Sequence, residues 1–209
     1  MKLGEFLKRY GLLYSKELGI DVKKEPNKWL LASVLFGGRI STTIAKKTFA
    51  VYDKEGLTSP EKIIETSHRK LVEIHGKGGY ARYDGVTAEY IMGIARKLLD
   101  EYDGNVKKLD ELSQNPNDLE LHLIDFRGIG SVTARIFLRE LRGIWKNADP
   151  EPTIIEILAA KKLGILKSDE NALEELKKYW HNNKVKGYDF RNFETALVRY
   201  GLDVRRKKS

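Results

Sequence analysis

The residues best placed to do chemistry are two glycines and an aspartate. Arg127-Gly128-Ile129-Gly130 interrupts two amphipathic segments. NDLELHLIDF runs into it, and Ile129, Val132, Ile136, Phe137 and Leu141 leave it near helical spacing. Two glycines two apart permit a tight turn whose backbone N–H groups point outward. A second helix starts there, with Ser131, Val132 and Thr133 in its first turn. Free N–H groups at the positive end of a helix dipole suit a single phosphate. A helix-turn-helix with a structural role alone would show the same pattern. Downstream, Asp149 heads Asp149-Pro150-Glu151-Pro152, where a carboxylate is favoured near a helix start. A second helix over 131–142 covers about 18 Å. The extended run 143–148 spans about 20 Å, so Asp149 can return towards the turn. It is then either a reactive carboxylate near whatever the turn grips or a helix cap.

Gly128-Ile129-Gly130-x-x-Thr133-Ala134 followed by Asp149 resembles the helix-hairpin-helix DNA glycosylase superfamily, to which endonuclease III, 8-oxoguanine glycosylase and the mismatch glycosylases belong. The likeness extends upstream. Leu35-Phe36-Gly37-Gly38-Arg39-Ile40-Ser41 and the helix after it resemble the helix–loop–helix that opens the endonuclease III core. Gly76-Lys77-Gly78-Gly79-Tyr80-Ala81-Arg82-Tyr83 is similar to a loop of the 8-oxoguanine enzymes. Together these cover roughly residues 28–160.

The resemblance implies an all-α fold of two helical lobes with the extruded base taken into a cleft between them. One lobe is 1–27 with 150–209. The other is 28–149, with the helix-hairpin-helix at about 117–142. It implies Asp149 as the catalytic carboxylate. It implies a phosphate grip from Arg127, Gly128, Gly130, Ser131, Val132 and Thr133. The carbonyls of Ile124, Phe126 and Ile129 match those that hold a monovalent cation in relatives. Gly38 and Arg39 occupy the loop where relatives fill the space that the base vacates.

At one place the chain departs from the lyase members. They carry a lysine where this sequence has Val132, and a valine cannot form a Schiff base with the opened sugar. Lys146 is the nearest substitute amine. There is also no cysteine, so the iron–sulfur cluster of endonuclease III relatives has no ligands here.

An enzyme acting on a base must take it out of the stack and keep the gap open. Tyr80, Arg82 and Tyr83, in a glycine-rich turn before a helix, offer aromatic and guanidinium planes for that. Tyrosines packing the turn onto a core are the plain alternative. The histidines at 68, 75, 122 and 181 show no compact ligand pattern, and Trp145, Trp180 and Tyr179 read as core.

The elements that must position these residues are helices almost throughout. Leu3, Phe6, Leu7, Tyr10, Leu13 and Tyr14 form one stripe. The spacing predicts helices from Pro26 to Gly37, from Ser41, from Ser59-Pro60 and over 68–75, closed by Gly76. It predicts a long helix from Asp84 to near Gly104, and others over 106–112, 118–126, 153–163, 169–182 and 190–200. The 209 residues suffice for a real core, and the net charge of +8 with a pI near 9.4 favours a polyanionic partner. The basic run at 204–208 reads as a disordered tail or a phosphate contact. No signal peptide or membrane span is visible. Abundant Lys and Glu with a single glutamine lean thermophilic.

The expectation is an intracellular, cytoplasmic or nucleoid-associated monomer needing no cofactor. It acts on duplex DNA with a damaged or mismatched base, as a glycosylase without lyase activity. The rivals are a non-catalytic binder of damaged or bent DNA, and a bifunctional oxidised-purine glycosylase with a displaced lysine.

Overall fold

The computed structural model describes residues 2–206. Among them are thirteen α-helices and no strand, as the periodicity predicts; one isolated bridge joins Arg142 to Trp145. The chain divides into two compact units, residues 18–150 and residues 1–17 with 151–209. Residues 18–27 thus group with the central unit.

That central unit is built around α3 (Pro26–Gly37), a helix apolar on every side and therefore buried. Trp29, Leu30 and Leu35 are almost fully enclosed. Pro26 sits in the first turn, where its missing N–H costs nothing. After α3 come α4 (Thr42–Lys54), α5 (Pro60–Glu65), α6 (His68–Gly78) and α7 (Asp84–Tyr102). The chain continues through α8 (Lys107–Leu112), α9 (Pro116–Ile124) and α10 (Ser131–Leu141). Helix α3 packs on both α4 and α10. The Trp29 indole N–H donates to the Phe137 carbonyl of α10 at 3.0 Å, fixing that helix against the core.

Local chemistry sets several helix starts. Ser41, Ser59 and Ser67 each accept a bond from the backbone N–H three residues on. Helix α6 runs past Gly76, where the sequence suggested it would stop. It ends at Gly79, which takes the left-handed conformation at φ 86°.

The terminal unit holds α1 (Leu3–Tyr10), α2 (Tyr14–Glu17), α11 (Ile154–Lys162), α12 (Ala172–Asn182) and α13 (Phe190–Arg206). Phe6, Leu7, Ala159, Leu176, Trp180, Phe193 and Leu197 form its core. The N-terminal stripe is two helices, the first closed by the Gly11 N–H bonding the Leu7 carbonyl at 2.7 Å. Helix α13 continues beyond Tyr200, so Val204, Arg205 and Arg206 are helical; Lys207 and Lys208 lie outside the described residues. No described helix is long and apolar enough to cross a membrane.

Candidate active site

Helices α9 and α10 form the hairpin. The Arg135 Nε–H donates to Glu120 at 2.9 Å, tying one helix to the other. The turn between them closes when the Ile129 N–H bonds the Phe126 carbonyl at 2.9 Å. Of its two glycines only Gly128 needs to be one for backbone reasons, with φ at +97°. A side-chain carbon there would stand 2.5 Å from the Tyr90 ring on α7. Gly130 has ordinary extended angles and open space where a Cβ would be. It occupies the N-cap position of α10 and, having no side chain, makes no cap bond to the helix's first N–H groups. Ser131 is thus the first helical residue rather than the cap. The start of α10 lies at the surface, with Gly130, Ser131 and Val132 all exposed.

Helix α7 seats this turn. The Arg127 guanidinium lies over the Tyr90 ring, 5.6 Å from its centre, and remains exposed. Lys97 pairs with Asp125, just before the turn, and lies over the Phe126 ring at 5.3 Å. Burial of Phe126 and Ile129 pins the turn from inside. The carbonyl of Ile124 ends α9 and so carries part of the negative end of its dipole, which suits a cation there.

Two further loops reach the same region. Gly37, at the end of α3, is in such close contact with Thr133 that no side chain fits between them. Thr133 is buried, at 5% exposure, with its side chain packed against Gly37. Gly38 lies against the Tyr80 hydroxyl, so the loop carrying exposed Arg39 touches the glycine-rich turn after α6.

That turn separates its two tyrosines. Tyr80, expected as a stacking platform, is only 3% exposed. Its ring stacks on His75 at 5.1 Å and its hydroxyl meets Thr87 at 2.9 Å, so it has no face left for a base. Tyr83 is 49% exposed and, unusually for a non-glycine residue, has φ 64° at the N-cap of α7. The Arg82 guanidinium covers one side of its ring at 5.0 Å. Beneath them His75 is a buried post. Its Nδ1–H donates to the Asp84 carbonyl at 2.8 Å, because a carbonyl can only accept. Its Nε2 then accepts from the Tyr52 hydroxyl at 2.8 Å. Burial holds the imidazole pKa below its ordinary value and pushes the Tyr52 phenol up, which keeps the ring neutral and the hydroxyl a donor.

Asp149 is not a helix cap. Helix α11 begins at Ile154, and Thr153 with Glu156 supplies its reciprocal capping box. Asp149 instead lies in the loop after α10, and its carboxylate pairs with Arg142, the C-cap residue of that helix. The Arg142 Nη2–H also donates to the Pro150 carbonyl at 2.7 Å. The Asp149 side chain is 37% exposed and that of Arg142 only 9%. The loop before it is clamped by Asp110 of α8, which accepts from the N–H groups of Lys146 at 3.0 Å and Asn147 at 2.8 Å. The Asn147 amide returns bonds to the carbonyls of Asp110 and Ser113, both at 3.0 Å. Lys146 itself is exposed.

Asp110, Arg142 and Tyr90 are not among the residues that the sequence singles out, and His75 stands there only with the other histidines as a metal ligand set aside. Arg142 ends an amphipathic helix, where a basic residue ordinarily answers the dipole, and nothing in that pattern points to Asp149. No group of three or more acidic or histidine side chains among the described residues could hold a metal ion. The apolar cavity under α3, lined by Leu30, Leu31, Val34, Ile63 and Ile91 among others, measures about 20 Å³. It has room for about one water and none for a base.

No family model and no curated protein sequence matches this chain. Solved structures do. The 3-methyladenine DNA glycosylase MagIII of H. pylori, bound to 1,N6-ethenoadenine, is 16% identical with a TM-score of 0.60. That match covers 100% of this chain and 99% of the other. The chain has the fold of the helix-hairpin-helix DNA glycosylases. A trapped endonuclease III–DNA covalent intermediate matches over 84% of this chain and 73% of its own, at 19% identity and TM-score 0.53. A thermostable thymine-DNA glycosylase matches over 85% and 74%, at 19% and 0.52. Likeness at these identities carries the glycosylase architecture; the chemistry rests on this chain's own residues.

Proposed function

We propose that this protein is a DNA glycosylase of base excision repair that hydrolyses the N-glycosidic bond of a damaged or mismatched base flipped out of duplex DNA. The observation that carries this reading is Asp149. It is a partly open carboxylate, spared from capping, on a loop that a buried aspartate and a buried arginine hold in place.

As the bond between C1′ and the base breaks, the bonding electrons leave with the base and the sugar becomes cationic. The Asp149 carboxylate stabilises that charge and takes a proton from the water that attacks C1′. The bare start of α10, with Gly128, Gly130, Ser131 and Val132, grips a phosphate of the damaged strand, and Arg127 adds a second contact. Backbone carbonyls of Ile124, Phe126 and Ile129 would hold the monovalent cation that steadies such a hairpin. Tyr83, with Arg82 behind it, is the wedge, and Gly38-Arg39 faces the vacated space. Absence of an amine at Val132 makes the enzyme monofunctional. It acts as a monomer inside the cell.

The test is a panel of duplexes containing uracil, thymine opposite guanine, hypoxanthine, 8-oxoguanine or an alkylated purine, heated in alkali after incubation. A nick at the lesion shows base removal. Asp149→Asn keeps size and hydrogen bonding but loses the charge, and should slow excision at least about a hundredfold with lesion binding intact. Binding without any nick across the panel would favour the non-catalytic binder.

A further inference from the structure

The Arg142 side chain is nine-tenths buried, an expensive place for a guanidinium unless its bonds are specific. It bonds two consecutive residues, at the Asp149 carboxylate and the Pro150 carbonyl. A fork that grips both fixes the backbone on one side of Asp149 and the rotation of its carboxylate together. On the other side, Asp110 fixes the backbone of Lys146 and Asn147. The Asp149 N–H bonds the Asn147 carbonyl at 3.0 Å, which continues that clamp to the aspartate itself. Arg142 closes α10, the helix whose other end is the bare anion site.

We propose that Arg142 is a positioning residue for Asp149: its guanidinium holds the carboxylate in the orientation that faces the sugar and links that orientation to the helix gripping the strand. This rests on the catalytic reading of Asp149. The pair presents the sugar with the negative end of an oriented dipole, which needs no reorganisation when charge develops. A geometric role of this kind sets the chemical step and leaves DNA affinity alone.

The test compares Arg142→Gln, Arg142→Lys and Asp149→Asn in single-turnover excision on each duplex of the lesion panel. Affinity is measured separately on a duplex with a tetrahydrofuran abasic site, and folding by thermal melting. Arg142→Gln should slow excision about a hundredfold, the order that a small misplacement of a reacting group costs, with abasic-site affinity within about threefold. Arg142→Lys keeps the charge without the fork and should recover about tenfold of that loss. Should Arg142→Gln fold poorly, Arg142→Lys alone decides, since a stable Lys variant at wild-type rate overturns the proposal. Excision by folded Arg142→Gln within threefold of wild type, with Asp149→Asn inactive, overturns it while sparing Asp149. Equal losses of rate and affinity also overturn it, by making Arg142 a structural support. Full activity of Asp149→Asn overturns the underlying reading, whatever Arg142 does.

Discussion

Val132 is 55% exposed in the first turn of α10. A lysine there would be fully accommodated and would meet solvent until DNA arrives, so overpacking is no obstacle. Wild-type protein should give an abasic product with no complex trapped by borohydride. Val132→Lys should add weak trapping if the flipped sugar lies between this position and Asp149. A strong trapped band from unmodified protein would move the nucleophile elsewhere, with exposed Lys146 the first to replace. Tyr83 is the other residue to isolate. Half exposed and held in a left-handed backbone, it stands out from the loop that Tyr80 and His75 anchor. Only duplex substrate has to be unstacked, so Tyr83→Ala should lower excision from duplex more than from single-stranded lesion DNA. Equal losses on the two substrates would assign the ring to folding or general binding.

The hairpin separates two functions that a paired-glycine motif merges. Gly128 serves the fold, because its positive φ and the Tyr90 ring leave no room for a Cβ. Gly130 has neither constraint: a Cβ there would meet open space at the start of α10, so the proposed phosphate grip is the use left for its missing side chain. Gly128→Ala should therefore lower stability by about 2 kcal/mol or more, from backbone strain and a forced shift of Tyr90. Gly130→Ala should lose only the modest N-cap preference for Gly over Ala, well short of the Gly128→Ala loss, yet bind duplex DNA several-fold more weakly. Thermal melting and a binding titration on the two variants separate these outcomes; a normal melting temperature for Gly128→Ala would contradict the assignment. Elsewhere the elements followed their local signals. Ser41, Ser59 and Pro26 mark helix starts because caps act within one turn. Helix α6 outruns its first glycine signal, because Gly76 can stay helical while Gly79 makes the left-handed stop.

At the scale of the whole chain, the net charge of +8 and a phosphate grip predict binding dominated by counterion release. The logarithm of duplex affinity should fall linearly with the logarithm of salt, with slope near −0.9 per phosphate neutralised. Affinity that stays flat from low to moderate salt would remove the nucleic-acid reading. Among the described residues many of the basic side chains are paired with carboxylates, which the net charge already counts. Lys28 with Asp53, Lys70 and Lys77 with Glu55, and Lys97 with Asp125 are cases in point.

The sequence by itself determined the helical architecture, the hairpin and the aspartate after it. Period, cap and turn signals act over a few residues, and the glycine–threonine–aspartate pattern survives as a string of letters. Tertiary structure alone decided which of those residues are available. Tyr80 and Tyr83 stand in one loop, three apart, with the same side chain. Packing on His75 buries the first, and the strained turn into α7 exposes the second. Thr133 reads as a helix-start ligand until Gly37 is pressed against it. Asp149 could have been a cap, and Thr153 took that work. Arg142 and Asp110 leave no trace in the local pattern, because an ion pair or a clamp needs only that two side chains meet in space. The partners Asp110 and Asn147 are brought together by the packing of whole helices, a relation that no short window of sequence contains.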